Sequence, residues 1–580
     1  MERINGYELR EEIPTEIREE LREYSDMVAH LLYHRGIVNK EDANTFFNFT
    51  YDKNILDPFL LHNMDKAVER ILSAIKNKEK IVIYSDYDAD GIPGAVILND
   101  FLRKIGHENY SVYIPHRNKE GFGLNKNALQ KIKEENEKEK SILLITIDCG
   151  ITDVEEIELA NSLGVDVIIT DHHEELSNLP NAYAIVNPKQ KACNYPEKVL
   201  CGSGVIFKVV QALVAKGDFD LPNGWEKTLL DMIAIATLSD MVPLIGENRA
   251  LASFGMTVLK MSPRKGLHKL FRKTNTFQKT LVEDDIGFTI SPRINAASRM
   301  GEPETAFKML STLDEVEAGA LVDQLHHIND QRKGHVAAMV KEIHKNISLD
   351  KNVIVMGNLN WKPSLLGLAA SKMVDEYNKP TFLWGRGEGT SIKGSCRAPK
   401  GTSVVDTMKS VSKYILETFG GHAQAGGFVV TTEGVDLLND ALNDSYEKLQ
   451  EDIKSGDKKV EPNWIDYQLS ISDINNSMFR EIQKLSPFGI DNHKPVFIFK
   501  NAKIDSIDHF GKEKNHLKLG FNKEEDGNQK IFAIAFFQTS DSDSWKRKFK
   551  EGDDIDLVAH IEKENFGRNN GLRLRIIDVL

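Results

Sequence analysis

Three short runs rich in β-branched residues, KIVIYSD (80–86), SILLITID (141–148) and VDVIITDHH (165–173), are separated by segments of helical periodicity, and each ends in an acid or an imidazole. Continuous apolar strands that alternate with helices predict an α/β fold whose parallel sheet is covered on both faces. SVYIPH (111–116) and NAYAIVNP (181–188) supply further strands of the same sheet. In such sheets ligands sit beyond the carboxyl ends of the strands. That is where Asp86, Asp148, Asp171, His172 and His173 fall, and the apolar segment IAIATLSDMVPL adds Asp240 in the same way.

A chain of 580 residues exceeds one core and predicts three or four domains, at roughly 150 residues each. Residues 1–60 read as short helices without chemistry, with Asn39 or Asp42 near a cap. The α/β core occupies 61–312. Over 313–348, Leu321, Leu325, Ile328, Val336, Met339 and Ile343 recur at helical spacing and predict one long connecting helix, in which Gly334 costs about 1 kcal/mol. A second α/β unit spans 349–455, and the polar stretch EDIKSGDKKVEPNW (451–464) marks a linker. Residues 456–580 hold several short strands divided by polar turns, which predicts a small barrel or sandwich.

No apolar run approaches the roughly 20 residues that cross a bilayer, so no membrane partner is expected. The opening stretch lacks the flank and apolar run of a secretion signal. Cys149, Cys193, Cys201 and Cys396 fit neither a disulfide framework nor zinc spacing, and a reducing cytoplasm is the expected setting. The net charge of −13 argues against indiscriminate coating of nucleic acid and leaves room for one local basic groove.

Asp86, Asp88 and Asp90 stand at alternate positions, and strict alternation would send them to one face of the pleat. One reading is a solvated acidic turn built on Asp90-Gly91. The recurrence of acids and imidazoles at four segment ends favours the other: oxygen and nitrogen donors converging, without thiolates, on Mn²⁺ or Mg²⁺. Taken singly, Asp240 is a turn or helix-cap residue. If the strand persists through them, His172 and His173 point in opposite directions and only one can be a direct ligand. Cys149 has no neighbouring base in its motif and reads as packing.

In this order, DYDADG, IDCG, TDHH and SDMVPL resemble the four motifs of the DHH phosphoesterase superfamily. IPHRNKEGFGL, SPRINAASRMG, GSCR (394–397), FGGHAQAGGF and LSPFGIDNHKPVF are similar to RecJ-type single-strand-specific exonucleases within it, from about residue 30 onward. The resemblance implies a DHH catalytic core, a DHH-associated domain across a cleft and a terminal OB-fold. On the matching positions it implies that Asp88, Asp90, Asp148, His172 and Asp240 hold one or two Mn²⁺ or Mg²⁺ ions, with Asp148 bridging, while Asp86 and Asp171 orient the ligands from behind and His173 faces the scissile phosphate. It implies that Arg117, Arg299, Ser395 and Arg397 hold phosphates of the strand and its 5′ end, with His422 adding a donor. Between Thr381 and His422, Arg386, Lys393, Arg397, Lys400, Lys409 and Lys413 outnumber Glu388, Asp406 and Glu417, a local reversal of the chain's sign. Phe488, Phe497 and Phe499 can stack bases or fill the barrel, with at least two expected in the core.

The chain departs from the family pattern at Tyr84, where many relatives have histidine, which leaves the metal stoichiometry open. It also departs at Pro93, Gly94, Ser298, Cys396, Asp491 and His493. The expected activity is metal-dependent 5′→3′ hydrolysis of single-stranded DNA in repair or recombination, with a helicase and a single-strand-binding protein as partners. The rivals are a DHH phosphodiesterase for short oligonucleotides or cyclic dinucleotides, and a non-catalytic DNA-binding replication factor. The strand-rich end argues against the first and the full set of acids and histidines against the second.

Overall fold

Val82, Tyr84, Leu144, Val167 and Ile169 share one buried cluster with Leu129, Ile132, Ile157 and Ala160 of two covering helices. The alternate residues Ile81, Ile83, Leu143, Ile145 and Ile168 are equally buried on the opposite face. Burial on both faces is why the strands read as unbroken apolar runs. The strands are β1 (Lys80–Ser85), β2 (Tyr110–Tyr113), β3 (Ile142–Ile147), β4 (Val165–Thr170) and β5 (Ala184–Val186). They pair in the order β2-β1-β3-β4-β5, all parallel.

The register positions the site. Ser85 pairs with Ile147, and Ile147 with Thr170. The next residues, Asp86, Asp148 and Asp171, therefore leave the sheet side by side, and their N–H groups continue the ladder to Ile147 O, Thr170 O and Val186 O. Helix α1 (Gly91–Lys104) returns against α2 (Gly202–Lys216), and a close approach at Gly94 makes this possible: a Cβ there would meet Ile147 and Ser203. The apolar segment that delivers Asp240 is helix α3 (Leu230–Ser239), with Asp240 as its C-cap. A short apolar run does not distinguish a strand from a buried helix.

This computed structural model describes residues 3–4, 6–386, 391–454, 463–511, 513–523, 529–542, 545–564 and 571–580. One unit comprises Ile55–Val242 and Gly246–Lys459, the other Met1–Asn54, Pro243–Ile245 and Val460–Leu580. Most of the linker read at 451–464 lies outside the described residues.

The larger unit continues through α4 (Ser291–Met300), entered from a π-helical turn, Ile286–Ile290, and the long helix α5 (Glu315–Asn346), capped by Asp314. Its buried face carries Val322 rather than Leu321, and Gly334 is exposed. Then come β6 (Ile354–Asn358), α6 (Pro363–Tyr377), β7 (Thr381–Arg386), β8 (Ile392–Arg397), β9 (Leu416–Gly421) and β10 (Ala425–Val430). They form a sheet of order β9-β10-β8-β7-β6, in which only β6 and β7 are parallel.

The smaller unit is built on seven strands, Tyr467–Leu469 (β11), Phe497–Lys503 (β12), Ser506–Phe510 (β13), His516–Asn522 (β14), Lys530–Ala535 (β15), Asp554–Lys563 (β16) and Leu572–Val579 (β17). They pair in the order β11-β12-β16-β17-β15-β14-β13. Leu31 and Leu32 of the N-terminal helix Asp26–Tyr33 pack into their core. The chain's first residues are not all helical: Tyr7–Leu9 is a strand paired with Asn463–Ile465. Asn39 caps Lys40–Phe47. Among the described residues, no helix is long and apolar enough to cross a membrane.

Candidate active site

β1 ends at Ser85, and the DYDADG stretch is a turn, so its aspartates take three environments rather than one face. Asp86 is buried with Oδ1 lacking any hydrogen-bond partner. Asp88 accepts the N–H groups of Asp90 and Gly91 on one oxygen, at 2.7 and 3.1 Å. Asp90 opens α1, and its two oxygens accept Gly202 N–H at 2.6 Å and Ser203 N–H at 2.8 Å from the start of α2. That helix end places positive charge on Asp90.

Asp148 leaves β3 in a left-handed conformation, φ 61°. A non-glycine residue there is uncommon and marks a place where the surroundings impose the backbone. Its Oδ1 lies 3.0 Å from His172 Nε2 and 3.9 Å from His173 Nδ1, without a well-formed hydrogen bond. β4 stops at Thr170, so the two histidines escape strand alternation, and their ring centroids stand 4.6 Å apart. Asp171 holds the turn by accepting Ile151, His172 and His173 N–H groups, and it meets His173 Nδ1 at 2.7 Å. His172 Nδ1 has no hydrogen-bond partner and lies 3.7 Å from Asp240 Oδ2.

The electrostatics show what the cluster lacks. Burial, then Asp88, pushes the Asp86 carboxyl well up, and burial with Asp90, Asp88 and Asp86 does the same to Asp148. Burial with Asp90 and Asp88 pushes Asp240 up to about 9, although its side chain is 29% exposed. Burial also raises Asp171, but hydrogen bonds and the charge of His173 outweigh it and hold that carboxyl below the ordinary range. His173 moves up because its bond to Asp171 and the surrounding acids outweigh its burial, while burial pushes His172 down. Uncompensated buried carboxylates with orphaned oxygens are a cation site in outline. Three sets have donor atoms within 4.8 Å of one another: Asp86, Asp88 and Asp148; Asp90, His172 and Asp240; and Asp148, His172 and His173.

Tyr84 turns away from this cluster. It is fully buried, stacks on Tyr113 at 5.3 Å and donates its hydroxyl proton to Gly123 O at 3.0 Å. It thereby ties the strand to the loop carrying Phe122, whose ring meets His173 edge-on at 5.3 Å. Cys149 is packed in the core, its thiol pushed well up by burial.

Arginines gather in the same unit. Arg117 lies over the Tyr87 ring at 5.1 Å. Arg299, on α4, donates to Ser364 O at 2.6 Å, and Arg397 donates to Ser395 Oγ at 3.2 Å. Gly367 of α6 leaves room for this pair: a Cβ there would sit 2.8 Å from Arg397 Nη2 and 3.0 Å from Ser395 Oγ. Burial and the like charges of Arg117, Arg332 and Arg397 push Arg299 down to about 10, with Asp88 the neighbouring acid. His422 sits exposed at the β9–β10 turn, and its imidazole joins none of these residues through a hydrogen bond.

Two residues linked to these clusters went unread in the sequence. Asn295 accepts Ala89 N–H at 3.0 Å and ties the acidic turn to α4; it lies inside SPRINAASRMG, which was the available signal. Arg332, on α5, carried none. Ser298 and Cys396 are fully buried packing positions, and Asp491 takes a left-handed turn, φ 59°, beside the buried anchor Asn492. In the smaller unit Phe488, Phe497 and Phe499 are core residues. Among the rings accessible there are the half-buried Phe510, His516 and Phe536 and the 80% exposed Phe537.

Comparison with known proteins matches residues 80–237 to the DHH family, N-terminal domain, 350–448 to the DHHA1 domain and 465–578 to the RecJ OB domain. A curated relative, the single-stranded-DNA-specific exonuclease RecJ of Bacillus subtilis (strain 168), is 36% identical over 502 residues, covering 86% of this chain and 62% of its own length. The chain thus spans less than two thirds of that relative. The crystal structure of RecJ in complex with Mn²⁺ from Thermus thermophilus is similar with TM-score 0.77 and 25% identity, over 97% of this chain and 77% of that one. A structure of exonuclease RecJ bound to manganese has TM-score 0.58 and 30% identity, over 68% of this chain and 97% of that one.

Proposed function

The chain belongs to the RecJ family of DHH phosphoesterases, and from that premise we propose that it is a metal-dependent exonuclease. In this reading it degrades single-stranded DNA from the 5′ end to 5′-mononucleotides, in repair and recombination. The observation that carries the reading is the pairing, within one unit, of a carboxylate cluster short of cations and a guanidinium cluster short of anions.

The carboxylates suit Mn²⁺ or Mg²⁺. Asp86, Asp88 and Asp148 are one donor set, and Asp90, His172 and Asp240 with the shared Asp148 another. When bound, such ions polarise the phosphate and lower the pKa of water for in-line displacement at phosphorus. The chain's own residues do the rest. Asp171 accepts from His173 Nδ1 and favours the protonated ring, and in that imidazolium form Nε2–H can donate toward a phosphate oxygen. Asp90 and Asp88 pin the acidic turn through backbone N–H groups. Arg117, Arg299, Ser395 and Arg397 take the phosphates at the 5′ end, and segment 349–455 is the substrate-binding domain. Segment 456–580 presents Phe510, Phe536 and Phe537 to bases, with Arg575 stacked on Phe536 at 4.2 Å. A helicase and a single-strand-binding protein are the partners such an activity calls for. Four unpaired, buried cysteines suit a reducing cytoplasm.

The test uses Mn²⁺ with DNA labelled at either end, single- or double-stranded, alongside a dinucleotide. Immediate release of a labelled mononucleotide from the single-stranded 5′ end is expected. Cleavage of the dinucleotide alone, or of nothing, would overturn the reading.

A further inference from the structure

Several cations on or against α5 are paired with acids. Lys333 pairs with Asp330, and lysines packed against the helix find acids on it: Lys269 with Glu315, and Lys273 with Asp323. Arg332 does not. Its Nε is buried without a hydrogen-bond partner, and among the described residues it forms no ion pair. One turn back on the same face, Asn329 is 1% exposed, and neither its amide nitrogen nor its amide oxygen has a partner. Buried polar groups are almost always satisfied, so two adjacent exceptions need a reason.

Their position supplies it. Val336 and Met339, the next residues along this face, pack with Met300, which follows Arg299 on α4. Arg332 and Asn329 therefore lie on the seam where α5 meets the end of α4. Arg293, on the same α4, shares a buried Nε without a partner but spends its two Nη groups on Thr289 O at 2.6 Å and His326 at 3.3 Å, which Arg332 does not. Arg332 adds to the like-charge field that depresses Arg299, together with Arg117 and Arg397. A half-buried guanidinium and a buried amide side by side, with Arg299 nearby and no acceptor of their own, form donors for an anion.

We propose that Arg332 and Asn329 complete the anion pocket and hold a phosphate group of the nucleic-acid strand. This rests on the exonuclease reading. The phosphate is either the terminal monoester or an internal diester, which present the same oxygens. Arg332 binds by charge and Asn329 by its amide N–H.

The test is fluorescence anisotropy in EDTA, which prevents turnover, with 5′-phosphorylated and 5′-hydroxyl single strands across a KCl series. Arg332→Gln should weaken binding roughly tenfold and lower the log–log salt slope by about 0.7, the loss of one phosphate contact. Arg332→Lys should restore the slope, which a purely structural role would not require. Asn329→Leu should weaken binding without moving the slope. Loss confined to the 5′-phosphorylated strand assigns the terminal monoester; equal loss on both assigns a diester. Wild-type affinity and slope in Arg332→Gln would overturn the proposal alone, whereas a wild-type protein that binds neither strand would overturn the exonuclease reading. Should the glutamine variant misfold, phenylglyoxal labelling of the wild type decides: the strand protects Arg332 if the proposal holds, and leaves its labelling unchanged if it does not.

Discussion

Gly202→Ala tests how the acidic centre is held. A Cβ at this position would stand 2.5 Å from Asp148 Cβ and 2.6 Å from its Oδ1, closer than real Cβ contacts come. Neither side can yield freely. Asp148 is fixed by its left-handed backbone and its N–H bond to Thr170 O. The start of α2 is fixed by the 2.6 and 2.8 Å bonds from Gly202 and Ser203 to Asp90. Relief must come from displacing a carboxylate or stretching those bonds. Overpacking costs about 1–3 kcal/mol, and each hydrogen bond to a charged group about 1.5–3 kcal/mol. A loss of about 3 kcal/mol at the cluster corresponds to a roughly hundredfold fall in Mn²⁺ affinity, at about 1.4 kcal/mol per tenfold. Gly204→Ala, two residues on, is the control: its Cβ would meet Cys201 Sγ and Leu200 Cβ at an ordinary 3.5 Å. There alanine should be neutral or stabilise the helix by up to about 1 kcal/mol. Calorimetric Mn²⁺ titration and exonuclease rates compare the two variants, with thermal melts in EDTA for stability. Equal behaviour of the two alanines would refute the reasoning.

The raised carboxyls of Asp86, Asp148 and Asp240 mean that the metal-free folded chain holds protons the unfolded chain releases, so its stability falls as pH rises from the ordinary carboxylate range toward about 9. Because cations displace those protons, the rise in Tm produced by Mn²⁺ should be larger at about pH 8 than at about pH 6; a pH-independent rise would count against the cluster. Asp148→Asn should abolish turnover yet raise the Tm of the metal-free protein, since on folding the buried carboxyl must either take up a proton or carry an uncompensated charge, and the amide needs neither. A melt below wild type would show that the charge is not the cost we assign it. Phe537→Ala should weaken single-strand binding by about 1–3 kcal/mol and leave Tm unchanged, because the ring is 80% exposed; unaltered affinity would remove it from the interface.

The parallel sheet was legible because burial on both faces writes itself into the sequence as uninterrupted Ile, Val and Leu. What local pattern does not carry is pairing between distant segments. Nothing in YEL at Tyr7–Leu9 points to a partner at Asn463–Ile465. Equally, the run before Asp240 is apolar enough for strand or helix, and packing on α1 and α2 decides for the helix.

Residue types at the site were legible too, but their division of labour was not, because it depends on where the strands stop. Had β1 continued past Ser85, alternation would have governed Asp86, Asp88 and Asp90; it ends there, and each acid answers to a different neighbour. Asp90 looks like a free ligand until Gly202 and Ser203 arrive from the start of α2. Arg332 sits in a helix where charge is common, and what sets it apart is a half-buried guanidinium whose Nε has no partner. One unit carries carboxylates that repel one another and guanidiniums that repel one another, with Asp88 acting on Arg299 across the two. Folding alone would favour neutralising each group against the other at short range. Keeping them apart destabilises the empty protein, and a site that recovers this energy only when cations and a polyanion are both present is one in which substrate binding and metal binding reinforce each other.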